Sequence, residues 1–185
     1  MEHLAGFRLA RDQTAEFQKV VAKLPQKSTE KLLKIWCEGV RDLPTLRAFV
    51  AKAIGQRDDV VLQSIGGWGE LGNVDWPLER LWDGCLDVVV IADGDNGRDW
   101  TRPERPLSEP GRSLMKRLNA VGVTGFILTR YGIEDYFSKA AVEALLGPAV
   151  AQSFPLADSA RAGDISGYTK DSNSRIAEQM TLDDL

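Results

Sequence analysis

The stretch that most constrains this chain is "DVVVIADGDNGRD", residues 87–99, where Val88, Val89, Val90 and Ile91 run without a polar interruption. Consecutive β-branched residues suit a strand buried on both faces, as in the middle of a parallel sheet covered by helices. Two carboxylates, Asp93 and Asp95, follow with one glycine between them. Charge is costly where such a strand leaves a core. The pair therefore needs either a turn open to water or a partner of opposite charge.

The flanking sequence alternates strand and helix signals. "KLLKIWCEG" reads as a first strand ending at Cys37, and "DLPTLRAFVAKAI" as a helix from Asp42 to about Ile54 with an early proline. "DVVLQSI" is a second strand, followed by the glycine-rich "GGWGELGN" and a helix restarting at Asp75 and Pro77 and running to about Trp82. "CLDVVVIA" is the third strand, and the Gly- and Pro-rich "DGDNGRDWTRPERPLSEPG" after it reads as irregular. A helix from Ser108 or Glu109 to about Ala120, a fourth strand "TGFILT" and one helix over "YGIEDYFSKAAVEALLG" complete the pattern. Residues 1–30 read as an amphipathic helix with Phe7, Phe17, Val20, Val21 and Leu24 on one face, broken at Pro25. Beyond 149 the chain reads as irregular to Tyr168 and helical over Asn173–Met180.

Alternating strands and helices imply an α/β, Rossmann-like parallel sheet of about four strands flanked by helices. Ligands of such sheets bind at the carboxyl ends of the strands. Those ends are Glu38-Gly39, Gly66-Gly67, Asp93-Gly94-Asp95 and the stretch before Glu134-Asp135. All four should share one edge.

Composition narrows the chemistry. With 185 residues, 43% hydrophobic and 27% charged, the chain has the make-up of one ordinary globular domain. Its net charge of -4 gives no global case for nucleic acid or membrane. No run approaches the ~18 apolar residues of a membrane span, and the N-terminal residues lack a signal-peptide core, so a cytoplasmic protein is expected. Cys37 and Cys85 fall in apolar strands and read as reduced core thiols, with a disulfide between adjacent strands as the alternative. The single histidine, His3, sits near the start, which removes Ser-His-Asp and Cys-His catalysis and leaves zinc short of ligands.

Carboxylates, lysine and a hard metal remain. Alone, Asp93 and Asp95 read equally as a turn. Glu38 changes that balance, because carboxylates converging from neighbouring strands repel one another unless a cation neutralises them. Oxygen-only ligands favour Mg2+ or Mn2+. Asp42, four residues after Glu38, reads equally as a helix cap or as a further ligand.

This set resembles the TOPRIM domain, whose pattern is a Glu after the first strand and an Asp-x-Asp after a later one, here "IWCEGVRD" and "VVVIADGDN". It is most similar to the branch found in OLD-family (overcoming lysogenization defect) nucleases. That likeness rests on Glu38-Gly39 with Asp42, on "SIGGWGEL" after strand two, on "YGIEDYF" with Glu134, and on "TKDSNSRIAEQMT" with Lys170. It spans residues 32–182, giving an N-terminal helical segment (1–30), a TOPRIM core (31–150) and a C-terminal extension with a lysine and short helix (151–185).

The resemblance implies metal-dependent hydrolysis of nucleic-acid phosphodiesters. Glu38, Asp42, Asp93, Asp95 and Glu134 would hold one or two Mg2+ or Mn2+ ions, Glu38, Asp93 and Asp95 would serve catalysis, and Lys170 would offset transition-state charge. OLD-type proteins usually carry an ATPase, and no Gly-x-x-x-x-Gly-Lys-Ser/Thr loop occurs here, so a separate ATPase partner is one expectation. Tyr131, Tyr136 and Tyr168 read as packing residues, which argues against strand passage. Homo-oligomerisation stays open. The locally basic stretch after the aspartates offers Arg98, Trp100, Arg102 and Arg112 as nucleic-acid contacts, against the alternative of a solvated loop and helix face.

Three rival readings stand beside it. "GWGELG" fits a Gly-x-Gly-x-x-Gly dinucleotide turn, although Trp68 would crowd the pyrophosphate. An Asp-x-Asp phosphatase of the haloacid dehalogenase type would want Thr where Asn96 stands, and would leave Glu38 idle. A metal-stabilised, non-catalytic subunit of an ATPase complex would use the same cluster structurally.

Overall fold

Four parallel strands form one sheet in the order β2-β1-β3-β4. They are β1 (Leu33–Cys37), β2 (Val60–Ser64), β3 (Asp87–Ala92) and β4 (Thr124–Ile127). The computed structural model describes residues 32–184 except 74, 83–86, 103–104 and 157–160. The helix expected over 1–30, His3 and Cys85 lie outside the described residues.

The strand order follows from two crossovers running in opposite directions. Helix α1 (Leu43–Ile54) carries the chain from β1 outward to β2. The next connection, through the one-turn helix α2 (Trp68–Leu71) and a 3-10 turn at Leu78–Leu81, returns it across β1 to β3. Helix α4 (Glu109–Ala120) then leads to β4 beside β3. The reversal places β1 against β3 with Cys37 level with Ile91. A crevice opens at such reversals, between the carboxyl ends of the two strands.

Alternation along the strands builds two cores. Leu33, Ile35, Cys37, Val89 and Ile91 face α1, α5 (Lys139–Leu146), the short α6 (Pro148–Ala151) and α7 (Asn173–Gln179), meeting Phe49, Phe137, Val142 and Ile176. Val88, Val90 and Ala92 point the other way, onto Leu114 and Leu118 of α4 and onto Leu71 and Leu81. Each fully buried side chain of this size contributes about 1.5–3 kcal/mol relative to exposure. Lys34 is buried at 2% exposure within β1, its ammonium 4.7 Å from the Trp36 ring.

Three local expectations change. The stretch after β3 is not wholly irregular: Gly94–Gly97 form a helical turn, α3, tied down by Asp95 N–H to Tyr131 O (3.0 Å) and Ser108 Oγ to Asn96 O (2.8 Å). "YGIEDYFSKAAVEALLG" is not one helix but a 3-10 turn, Ile133–Tyr136, followed by α5. The break falls at Phe137, buried in extended backbone, and Ser138 restarts the chain by accepting the Ala141 N–H (3.2 Å). The helix expected from Asp75 to Trp82 reduces to the 3-10 turn at Leu78–Leu81. Among the described residues no helix is long and apolar enough to cross a membrane.

Candidate functional site

The site is built at the crevice between β1 and β3. Glu38 leaves β1 with its main-chain carbonyl accepting from Gly66 N–H (3.1 Å) and Gly67 N–H (2.7 Å). Those glycines take φ of +116° and +111°, conformations that side chains rarely adopt, so the glycine-rich turn after β2 acts as a clasp on Glu38. The Glu38 Oε2 in turn accepts the Asp93 N–H across the strands (3.2 Å). The structure thus brings the first-strand glutamate onto the aspartate pair.

Asp42 stands at the start of α1, yet its side chain makes no capping bond. Its carboxylate folds over Gly39, where an added Cβ would lie 2.5 Å from Asp42 Oδ2. Glu134 comes from the turn after β4 and folds over Gly132 in the same way. Both residues are buried, at 8% and 6% exposure, and Asp42 Oδ1 and Glu134 Oε2 have no hydrogen-bond partner. Lys170 approaches from the far end of the chain, with Nζ 3.3 Å from Glu134 Oε1. Its turn is stapled by Tyr168, whose hydroxyl donates to Asn173 Oδ1.

The electrostatics follow from this proximity. Burial, then the charges of Asp95 and Asp42, push Glu38 up to about 7, against the pull of the Asp93 and Trp68 amides. Burial, followed by Asp42, Glu38 and Glu134, holds Asp93 well above the usual carboxylate range. Asp42 is raised by burial and by Glu134 and Asp95, with Lys170 opposing. Asp95 is raised by burial, against the Asn96 amide and Lys170. For Lys170, burial works against the charge, but Glu134, Asp42 and Asp93 outweigh it and raise the pKa. Cys37, just behind Glu38, is pushed up to about 12 by burial and then by Asp42, and so stays a thiol.

Five carboxylates and one lysine therefore act on each other at one sheet edge. Among the described residues, no three acidic, cysteine or histidine side chains stand ready as a metal's ligand shell. The donor chemistry nevertheless fits a hard divalent cation. Every available donor is oxygen, and two buried carboxylate oxygens lack a partner.

The basic stretch is arranged differently. Arg98 donates to Ile127 O (2.6 Å), Leu128 O (3.2 Å) and Arg105 O (3.5 Å), bracing its loop against the end of β4. Trp100 donates to Gly94 O (3.0 Å) and packs on Tyr131, with the Arg105 guanidinium 4.8 Å from its ring centre. Arg112 bonds Leu107 O (2.7 Å) and Glu109 (2.6 Å), and Arg102 pairs with Asp99 (3.0 Å). Arg98 and Trp100 brace the fold, while Arg102 and Arg112 stay exposed.

The glycine turn is also committed. The amides of Gly66 and Gly67 serve Glu38, and the following helix has only 4 residues, a poor cradle for a pyrophosphate. Tyr136 and Tyr168 are packed and bonded within the chain. Sequence reasoning did not single out Arg161, which acts on Asp95, or the Tyr168–Asn173 staple. Neither carries a local pattern, because each matters only through residues distant in sequence.

Fold and edge together define an α/β protein with an acid-lined crevice at the reversal point of its sheet. Compared with family models, with curated proteins and with solved structures, the chain finds no match.

Proposed function

We propose that this chain is a cytoplasmic, metal-dependent nuclease that hydrolyses phosphodiester bonds, with DNA as the first substrate to test. A separate ATPase partner, in phage defence or DNA processing, belongs to the same reading. The observation that carries it is the meeting of Glu38, Asp42, Asp93, Asp95, Glu134 and Lys170 at one sheet edge, with two buried carboxylate oxygens unpartnered. The TOPRIM resemblance predicts that set of residues from their order alone. Their convergence supports it.

The five carboxylates would hold Mg2+ or Mn2+, which supplies positive charge to acidify an attacking water and to offset charge on phosphoryl oxygens. The glycine clasp fixes Glu38, and the Asp93 amide orients its carboxylate. Lys170, held cationic by its acidic neighbours, is placed to neutralise charge on the transferring group or its leaving oxygen.

Incubating plasmid and labelled single strands with Mg2+ or Mn2+ tests this. Cleavage by the parent, reduced by about 100-fold or more in Asp93→Asn and Lys170→Ala with folding intact, is the expected result. Equal cleavage by all three proteins overturns the site. A second reading is a cation-stabilised subunit that binds a partner without cutting; it uses the same carboxylates, and among the described residues these do not stand as a ready-made ligand shell. Cation-dependent stabilisation with no cleavage under any condition would select it.

A further inference from the structure

Just outside the acidic edge lies a cavity of about 210 Å3 lined by Arg41, Pro44, Lys170, Asp171 and Ser174. Its size is below the roughly 300–1,000 Å3 of pockets for drug-sized ligands, so it suits a small group rather than a whole base and sugar. Two cations face one carboxylate, that of the exposed Asp171, across the lining. Arg41 is exposed and has no hydrogen bond or ion pair among the described residues. It differs in this from Arg98, Arg102 and Arg112, whose guanidinium groups are committed within the chain. Pro44 belongs to the first turn of the 12-residue helix α1, whose N-terminus has no side-chain cap. That end adds partial positive charge to the same wall.

Arg41 and Lys170 also link the cavity to the acidic crevice. Arg41 immediately precedes Asp42, in a turn closed by Asp42 N–H to Gly39 O (3.2 Å), and Lys170 reaches back to Glu134 (3.3 Å). We propose that this cavity binds a phosphate group of a nucleic-acid strand, with Arg41 as its main anchor, and so sets which phosphodiester lies over the carboxylates. The proposal rests on the nuclease reading and adds a phosphate subsite to it. An arginine fork grips phosphate oxygens in two parallel bonds, which a free guanidinium at a cavity rim can supply. The phosphate could belong to a strand end or to the interior of the strand.

The test is fluorescence anisotropy with one labelled single strand, made with a 5′-phosphate or with a 5′-hydroxyl, in chelator so that binding is read without cleavage. Arg41→Ala should weaken binding about tenfold and make the salt dependence shallower by about 0.7 in log-log slope. Arg41→Lys, which keeps the charge but not the fork, should fall between the two proteins. Equal weakening with both strands assigns an interior phosphate; weakening confined to the 5′-phosphorylated strand assigns an end. Binding of both strands by Arg41→Ala within about twofold of the parent, or no binding by the parent, overturns the proposal. Arg41-dependent binding without cleavage by the parent would instead retain this subsite and remove the nuclease reading.

Discussion

Two charged regions meet in the sequence where Asp93 and Asp95 give way to Arg98, and the structure treats them in opposite ways. At the sheet edge, Glu38, Asp42 and Asp93 are sunk among like charges, two oxygens lack partners, and burial raises each pKa. In the stretch from Arg98 to Arg112, Arg98, Arg102 and Arg112 end on main-chain carbonyls or a nearby carboxylate, and Arg105 lies over the Trp100 ring. Both stretches look equally polar as text. What separates them is satisfaction: the arginines stabilise the fold, whereas the carboxylates are held together at its expense. Such a conflict persists where the surrounding structure over-determines it, and perturbed groups of this kind cluster at functional sites.

Removing charge should therefore act with opposite sign in the two regions. Arg98→Ala, which strips the bracing bonds to Ile127 and Leu128, should cost about 2–3 kcal/mol and lower the thermal midpoint by roughly 5–10 °C. A midpoint equal to the parent's would erase the distinction. Glu38→Gln should do the reverse and stabilise the cation-free protein by about 1 kcal/mol at pH 8. The pH dependence has a definite sign. With Glu38 raised from 4.5 to about 7, the stability tied to its neutral form is fully present below about 4.5 and lost as pH rises through about 7. The variant's advantage should thus be seen at pH 8 and fade by pH 5; if the proposed site takes Mn2+, adding the cation should also narrow the advantage at pH 8 by offsetting the repulsion on Glu38. A pH-independent difference would sink the claim. The smallest effect belongs to Arg102→Ala, on an exposed pair with Asp99, expected to lie within about 0.5 kcal/mol of the parent by denaturant unfolding.

Most of the fold could be read from local pattern. Valines in a row announced β3, and Ser108 with Pro110 marked the start of α4. The gathering of the strand-end carboxylates was legible too, because strand ends in a parallel sheet share an edge. The lateral strand order was not, since nothing in "KLLKIWCEG" says that it pairs with β3 as well as β2. Nor could sequence separate the arginines from the carboxylates as site residues. The partners of Arg98 lie 29 and 30 residues away, and a carbonyl acceptor leaves no trace in residue type. The single helix expected across Phe137 failed for a similar reason: Phe137 belongs to a core assembled by distant elements.

The close approach at Gly94 limits how this molecule can change over time. A Cβ there would lie 2.2 Å from Arg130 O and 2.6 Å from Leu128 O, so the loop bearing Asp93 and Asp95 is pressed against the chain leading to Glu134. These acids cannot drift independently: a shift of one backbone drags the other. The spacing of the acidic pair from Glu134 is thus fixed by main chain rather than by side chains, whereas Arg41, exposed at the rim, carries no such restraint.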